Sequence, residues 1–169
     1  TTVTGGTLEL NNGGGTAIAG SVVVNGGTLL LGSSQTVAGV QLLSGSITGP
    51  GSLTSASTFD MQNGTASAVL AGSVGLDKST GGTVLLTGVN TYTGTTTVSA
   101  GILNLNSVGV ALSGTSDVQI TGGTLALLAS NQINPLASLT VNGGTFDLGV
   151  FSQTLAGVHL VNGSIAGTG

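Results

Sequence analysis

Apolar and polar residues alternate along this chain in short bursts. Leu8-Glu9-Leu10, Leu125-Ala126-Leu127 and Phe146-Asp147-Leu148 each set apolar side chains around a central position that is often polar. That period of two marks a strand with one buried face. A second alternating run precedes the next burst, as in Val22-Val23-Val24 and Leu139-Thr140-Val141, and Asn-Gly pairs such as Asn25-Gly26 and Asn142-Gly143 follow. These pairs favour positive φ and turn the chain.

The bursts recur at a nearly constant interval. The glycine that opens each one falls at 5, 26, 45, 64, 81, 101, 122, 143 and 163, with spacings of 17 to 21 residues, the signature of a solenoid. An Asn-Gly turn also suits an antiparallel hairpin. Like phrases at constant spacing are better satisfied when each lies over the last, which makes neighbouring strands parallel. The pattern therefore predicts an all-β, right-handed parallel β-helix of about 20 residues per coil, in eight to nine coils. The handedness follows from the preference of parallel crossovers, and eight coils at about 4.8 Å give a rod of roughly 40 Å.

The register predicts one inward ladder of Leu8, Leu29, Ile47, Val84, Leu103, Leu125, Phe146 and Ile165. Leu10, Leu31, Leu86, Leu105, Leu127 and Leu148 form a second beside it. Glu9 and Asp147 are expected to point outward. The coil from 64 to 80 is the shortest, and Gly64-Thr65-Ala66 offers no large apolar residue, so thinner packing is expected there.

A longer period overlies the short one. Residues 21 to 51 align with 138 to 169 at an offset of 117, with twenty identities over thirty-one positions and one inserted residue. Residues 1–169 thus read as a single solenoid segment carrying about one and a half copies of a six-coil unit, the expected look of a window cut from a longer array.

Charged residues make up only 4% of the chain, against about a quarter in ordinary soluble domains. Glu9 is the only glutamate and Lys78 the only cation, so solvated helix faces have little to build on. One lysine, no arginine and 2% aromatics leave nothing to neutralise phosphates or stack on bases, which excludes nucleic acid as a partner. No apolar run approaches a membrane span and no basic amphipathic helix appears, so no membrane insertion by this segment is expected. The absence of cysteine removes disulfides and thiolate metal sites.

Residues 79 to 105, "STGGTVLLTGVNTYTGTTTVSAGILNL", resemble the passenger-associated repeat of bacterial autotransporters, with Asn90-Thr91-Tyr92-Thr93-Gly94 as the specific core. "NPLASLTVNGGTFDLG" and "SQTLAGV" are similar to phrases of very large autotransporter and haemagglutinin-like surface proteins. Thr95 and Ile102 depart from the usual glycine and threonine. The resemblance implies a β-helical passenger exported to the outer face of a Gram-negative cell, with a role in display, adhesion or building of extracellular layers. It says little about activity, because one architecture carries many functions.

Candidate chemistry is sparse. His159, the only histidine, sits between Val158 and Leu160 and is expected to point outward as a tolerated polar residue. Glu9, Asp60, Asp77, Asp117 and Asp147 lie on separate coils; Asp60 and Asp77 are one coil apart, but an acid pair needs a partner base or electrophile that the chain lacks. Asp77 and Lys78 are expected to form a weak exposed pair or none. No calcium nonapeptide and no Gly-x-Ser-x-Gly elbow occurs, and the threonines of "TYTGTTTV" stand on one coil, too few for a flat ice-binding array. Asn63-Gly64-Thr65 and Asn162-Gly163-Ser164 match the glycosylation pattern, although turn chemistry accounts for both. The sequence therefore predicts no catalytic residue, cofactor or metal. Tyr92 and Phe151 are the two candidate surface contacts for a glycan, with packing against a neighbouring coil the favoured alternative. A structural rod that self-associates end to end or laterally is the leading expectation; a glycan- or host-surface-binding adhesin module comes next, and a polysaccharide-cleaving enzyme last.

Overall fold

The computed structural model describes residues 1–168, in which strands, turns and bridges occur without any helix. Every strand pairing among these residues is parallel, and the chain winds through about nine turns of roughly 19 residues. It is a β-solenoid.

Three faces enclose the interior. The first carries Thr2–Val3, the opening halves of Val22–Leu31 and Val40–Thr48, then Phe59–Met61, Leu76–Lys78, Thr96–Val98 and Asp117–Ile120, and the opening halves of Ser138–Asp147 and Gly157–Ala166. The second carries Thr7–Leu10, the closing halves of the four long strands, and Gly64–Ala66, Thr83–Leu86, Ile102–Leu105 and Thr124–Leu127. A third, shorter face is formed by Gln35–Val37, Ser52–Ser55 and Val69–Ala71, and single bridges from Asn90 to Leu112 and Leu112 to Ile133 follow it in later coils.

The inner side of the first face shows why this sequence takes the shape. Val22, Val40, Phe59 and Leu76 stand one above another, and Val24, Leu42 and Met61 form a parallel column, nearly all without exposed surface. Each such aliphatic contributes about 1.5–3 kcal/mol by leaving water. Backbone bonds such as Val22 N–H to Gly39 O at 2.8 Å and Leu76 N–H to Thr95 O at 3.0 Å tie each coil to the next. Corners need glycine where the coils crowd: Gly45 has φ +93°, and a Cβ there would collide with the Gly27 carbonyl oxygen.

The second face corrects the predicted ladders. Leu8, Leu29 and Ile47 stack as expected, and so do Val84, Leu103, Leu125, Phe146 and Ile165, but these two groups belong to different columns. Ile47 lies over Ala66, and Ala66 over Leu86, so the first group continues into Leu86, Leu105 and Leu127. Gly64 sits opposite Val84. Relative to the predicted ladder the short coil has slipped by two residues, so that Ala66 meets Leu86 where Val84 was expected. An even slip preserves the inward side of every residue, whereas a slip of one would turn the aliphatics out. Ala66 and Ala68 are the small fillers at this level, and the fully buried aromatics Phe59 and Tyr92 lie in the same stretch of coils. Glu9 is exposed and Asp147 half-buried.

Candidate functional site

The outward side of the first face gathers most of the polar chemistry. Alternation turns the residues between the buried ones to solvent, and the register stacks them as Gln41, Asp60, Asp77, Thr97, Gln119, Thr140 and His159. Asp60 and Asp77 are therefore neighbours on adjacent rungs, the one pair of carboxylates that the coil spacing brings together. His159 lies four rungs from Asp77, on the order of 19 Å at one strand spacing per rung. That distance keeps the histidine and the acid pair from sharing a substrate atom.

Asp60 is anchored by amides. Its Oδ2 accepts hydrogen bonds from Gln41 Nε2 at 2.5 Å and from Gln62 Nε2 at 2.9 Å. It borders an open groove of about 260 Å³ whose other walls include Ser21, Gly39, Gln41, Ser57 and Thr58. Gly39 makes the notch, because a Cβ there would meet the Ser21 and Ser57 hydroxyls. Asp117 is held in the same manner by Gln119 Nε2 at 2.8 Å and Thr95 Oγ1 at 3.3 Å. Val22, Val23 and Val40 complete the groove, so its wall is more apolar than polar, and its amide and carboxylate, Gln41 and Asp60, are already paired with each other.

Lys78 is absent from this surface, so of the two outcomes expected for Asp77 and Lys78, a weak exposed pair or none, the described residues show none. Leu76 points inward, so Asp77 points out and Lys78 in again. The lysine has no exposed surface. Its ammonium group donates to the Thr80 and Ala100 carbonyl oxygens at a corner, the latter at 3.2 Å. Burial lowers its pKa from the ordinary lysine value, and the Asp60 charge partly opposes that shift. The chain's one cationic side chain is thus spent on the interior, within reach of the Asp60 charge but off the outward surface on which the acids stand.

Tyr92 is likewise inside, which removes it as a surface contact. Only 1% of it is exposed, its ring tilts against Phe59 with centroids 5.8 Å apart, and its hydroxyl pairs with Thr96 Oγ1 at 2.7 Å. Burial pushes its pKa well above the usual phenol range, and the Thr96 hydrogen bond works the other way. Phe151 is half-buried and packs against the core from the inserted loop, where its N–H donates to Leu148 O at 2.9 Å. Its neighbour Val150 is 74% exposed.

Comparison with family models, curated proteins and solved structures finds no match for this chain. Among the described residues no three His, Asp or Glu side chains converge as a metal site would require.

A set of amides, buried at Gln35, Asn90 and Gln132 and half-buried at Gln153, went unnoticed in the sequence. Gln35 accepts from Ala17 N–H at 3.0 Å, Gln132 from Ser107 N–H at 2.6 Å, and Gln153 from Ile133 N–H at 2.9 Å. Asn90 accepts from Leu70 N–H at 2.9 Å and donates to Gly88 O and Ala111 O at 3.2 and 2.9 Å. Each amide replaces a ladder bond that the irregular third face cannot make. The signal was present in the recurrence of Ser-Gln-Thr at Gln35 and Gln153, matched places in the long repeat.

Proposed function

We propose that this chain is a structural segment of a long extracellular β-solenoid, a stalk, filament or surface layer serving display, adhesion or matrix building. The observation that carries the reading is the continuity of the stack: coil follows coil with filled inner columns and paired ladders, while the chemistry-bearing side chains are strung out along the rod. Resemblance of residues 79 to 105 to the passenger repeat supports the extracellular setting. Low charge supports end-to-end or lateral self-association, since little repulsion opposes it. Electron microscopy of the native material tests the proposal. Continuous thin fibres with an axial repeat near 4.8 Å are expected; short rods ending in a distinct head would move the function to that head.

A second reading, an adhesin module for a glycan or host surface, is favoured at one place. The inserted loop presents exposed Val150 beside half-buried Phe151. On this reading Phe151→Ser weakens attachment to the recognised surface, and unchanged attachment removes that site.

A further inference from the structure

Five Asn-Gly pairs turn this chain, at Asn12, Asn25, Asn63, Asn142 and Asn162, and all five asparagines are exposed. In such a pair the glycine nitrogen can attack the asparagine Cγ, because no Cβ on the second residue obstructs the approach. The attack succeeds only from a conformer that brings the two atoms within about 3–3.5 Å.

The structure divides the five by what holds the side-chain carbonyl. Asn12 Oδ1 accepts from Gln35 Nε2 at 2.6 Å, Asn25 Oδ1 from Ser44 Oγ at 3.2 Å, and Asn63 Oδ1 from Thr83 N–H at 3.2 Å. Each bond ties the amide to an adjacent coil and so away from its own following nitrogen. Among the described residues the Asn162 side chain has no hydrogen-bond partner, and neither has that of Asn142, although the strand Gly157–Ala166 pairs beside it. The backbone irregularity at Asn142, with the register shifting on both sides and Gly143 at φ +114° left without a partner residue in the next coil, is shared by Asn25 and Gly26, so the tether is what separates the two sites.

We propose that Asn142 is a site of spontaneous deamidation, set apart from Asn12, Asn25 and Asn63 by the lack of an inter-coil tether. Gly143 N, losing its proton to solvent base, forms a bond to Asn142 Cγ; the Cγ–Nδ2 bond breaks and ammonia leaves. Water then opens the five-membered imide at either carbonyl, giving aspartate or an isoaspartyl linkage. Either product adds one negative charge, taking the formal net charge of −4 to −5. The isoaspartyl form also inserts a methylene into the backbone at a corner, beneath the in-register Asn162. The product therefore marks and loosens one corner of the rod.

The folded chain is held in mildly alkaline buffer and mapped by mass spectrometry after cleavage before aspartate. This yields residues 117–146 with Asn142 as the single Asn-Gly pair, 60–76 with Asn63, and 1–59 with Asn12 and Asn25, which fragmentation separates. The mass gain of one dalton is expected at Asn142 severalfold faster than at the three tethered sites, with the difference vanishing in denaturant. Ser44→Ala is expected to raise the rate at Asn25 alone. Equal rates in the folded chain, or an Asn25 indifferent to Ser44→Ala, would overturn the proposal.

Discussion

Lys78, Tyr92 and Thr96 are unusual residues for a solenoid interior, and each makes a stated hydrogen bond there; no buried side-chain nitrogen or oxygen among the described residues lacks one. The titration of Lys78 and Tyr92 gives the rod an expected pH profile. Because the folded pKa of Lys78 lies below its free value of 10.5, the unfolded chain binds more protons in that window and stability rises with pH through it. Tyr92 has the opposite sign. Its folded pKa lies above 10.0, so above that pH the unfolded chain loses a proton that the folded chain keeps, and stability falls. Denaturant melts from neutral to strongly alkaline pH are expected to show a maximum near pH 10, with Lys78→Met flattening the rise. Tyr92→Phe removes the alkaline fall, and at neutral pH costs about 1–3 kcal/mol by stranding the Thr96 hydroxyl. Lys78's inward position was within reach of the sequence, since alternation from Leu76 places it inside. The pairing with Asp77 was the wrong neighbour to consider, because adjacent strand residues face opposite ways.

At the scale of the element, the alternating strands were legible and the corners were not. Leu103 in the second face shows the legible part: it was assigned inward from the Gly-Ile-Leu-Asn-Leu phrase and has no exposed surface. Leu103→Ala is expected to cost about 2–5 kcal/mol in a chemical melt. Asn90 shows the other part. The Asn-Thr-Tyr-Thr-Gly core read as a turn, yet its asparagine satisfies backbone groups of Leu70, Gly88 and Ala111 at once. Replacement by alanine leaves the Leu70 N–H and the Gly88 carbonyl open, each worth about 1–3 kcal/mol if unsatisfied, while Ala111 O keeps its bond from the Asn90 backbone N–H. Asn90→Ala is accordingly expected to destabilise at least as much as Leu103→Ala, and a cost under that of the leucine would show that water or relaxation replaces the amide. Partners one coil away, such as Leu70 and Ala111, cannot be read from a turn motif, because the motif specifies local φ and ψ and not the coil beside it.

Across the whole molecule, stability is a sum of coils and their interfaces, as in other solenoids. Almost all pairings join residues about one coil apart, so contacts are numerous but none spans the rod. Damage at one corner is expected to stay local: hydrogen exchange in Asn90→Ala should quicken near residues 70, 88 and 111, while the strands at 22–31 keep their protection. Exchange that quickened uniformly would show the rod to be one cooperative unit.

The sequence by itself determined the coil: its length, its strands, their parallel stacking and which residues face inward within each phrase. These are periodic quantities, and a period is visible along a line. Tertiary structure decided how one period sits on the next. It set the two-residue slip between Ile47 and Leu86, the direction in which Gln35, Asn90, Gln132 and Gln153 reach, the burial of Tyr92 against Phe59, and the division of the Asn-Gly corners into tethered and free. Each depends on a neighbour one coil away, where an even slip in register costs the alternation nothing and changes every partner.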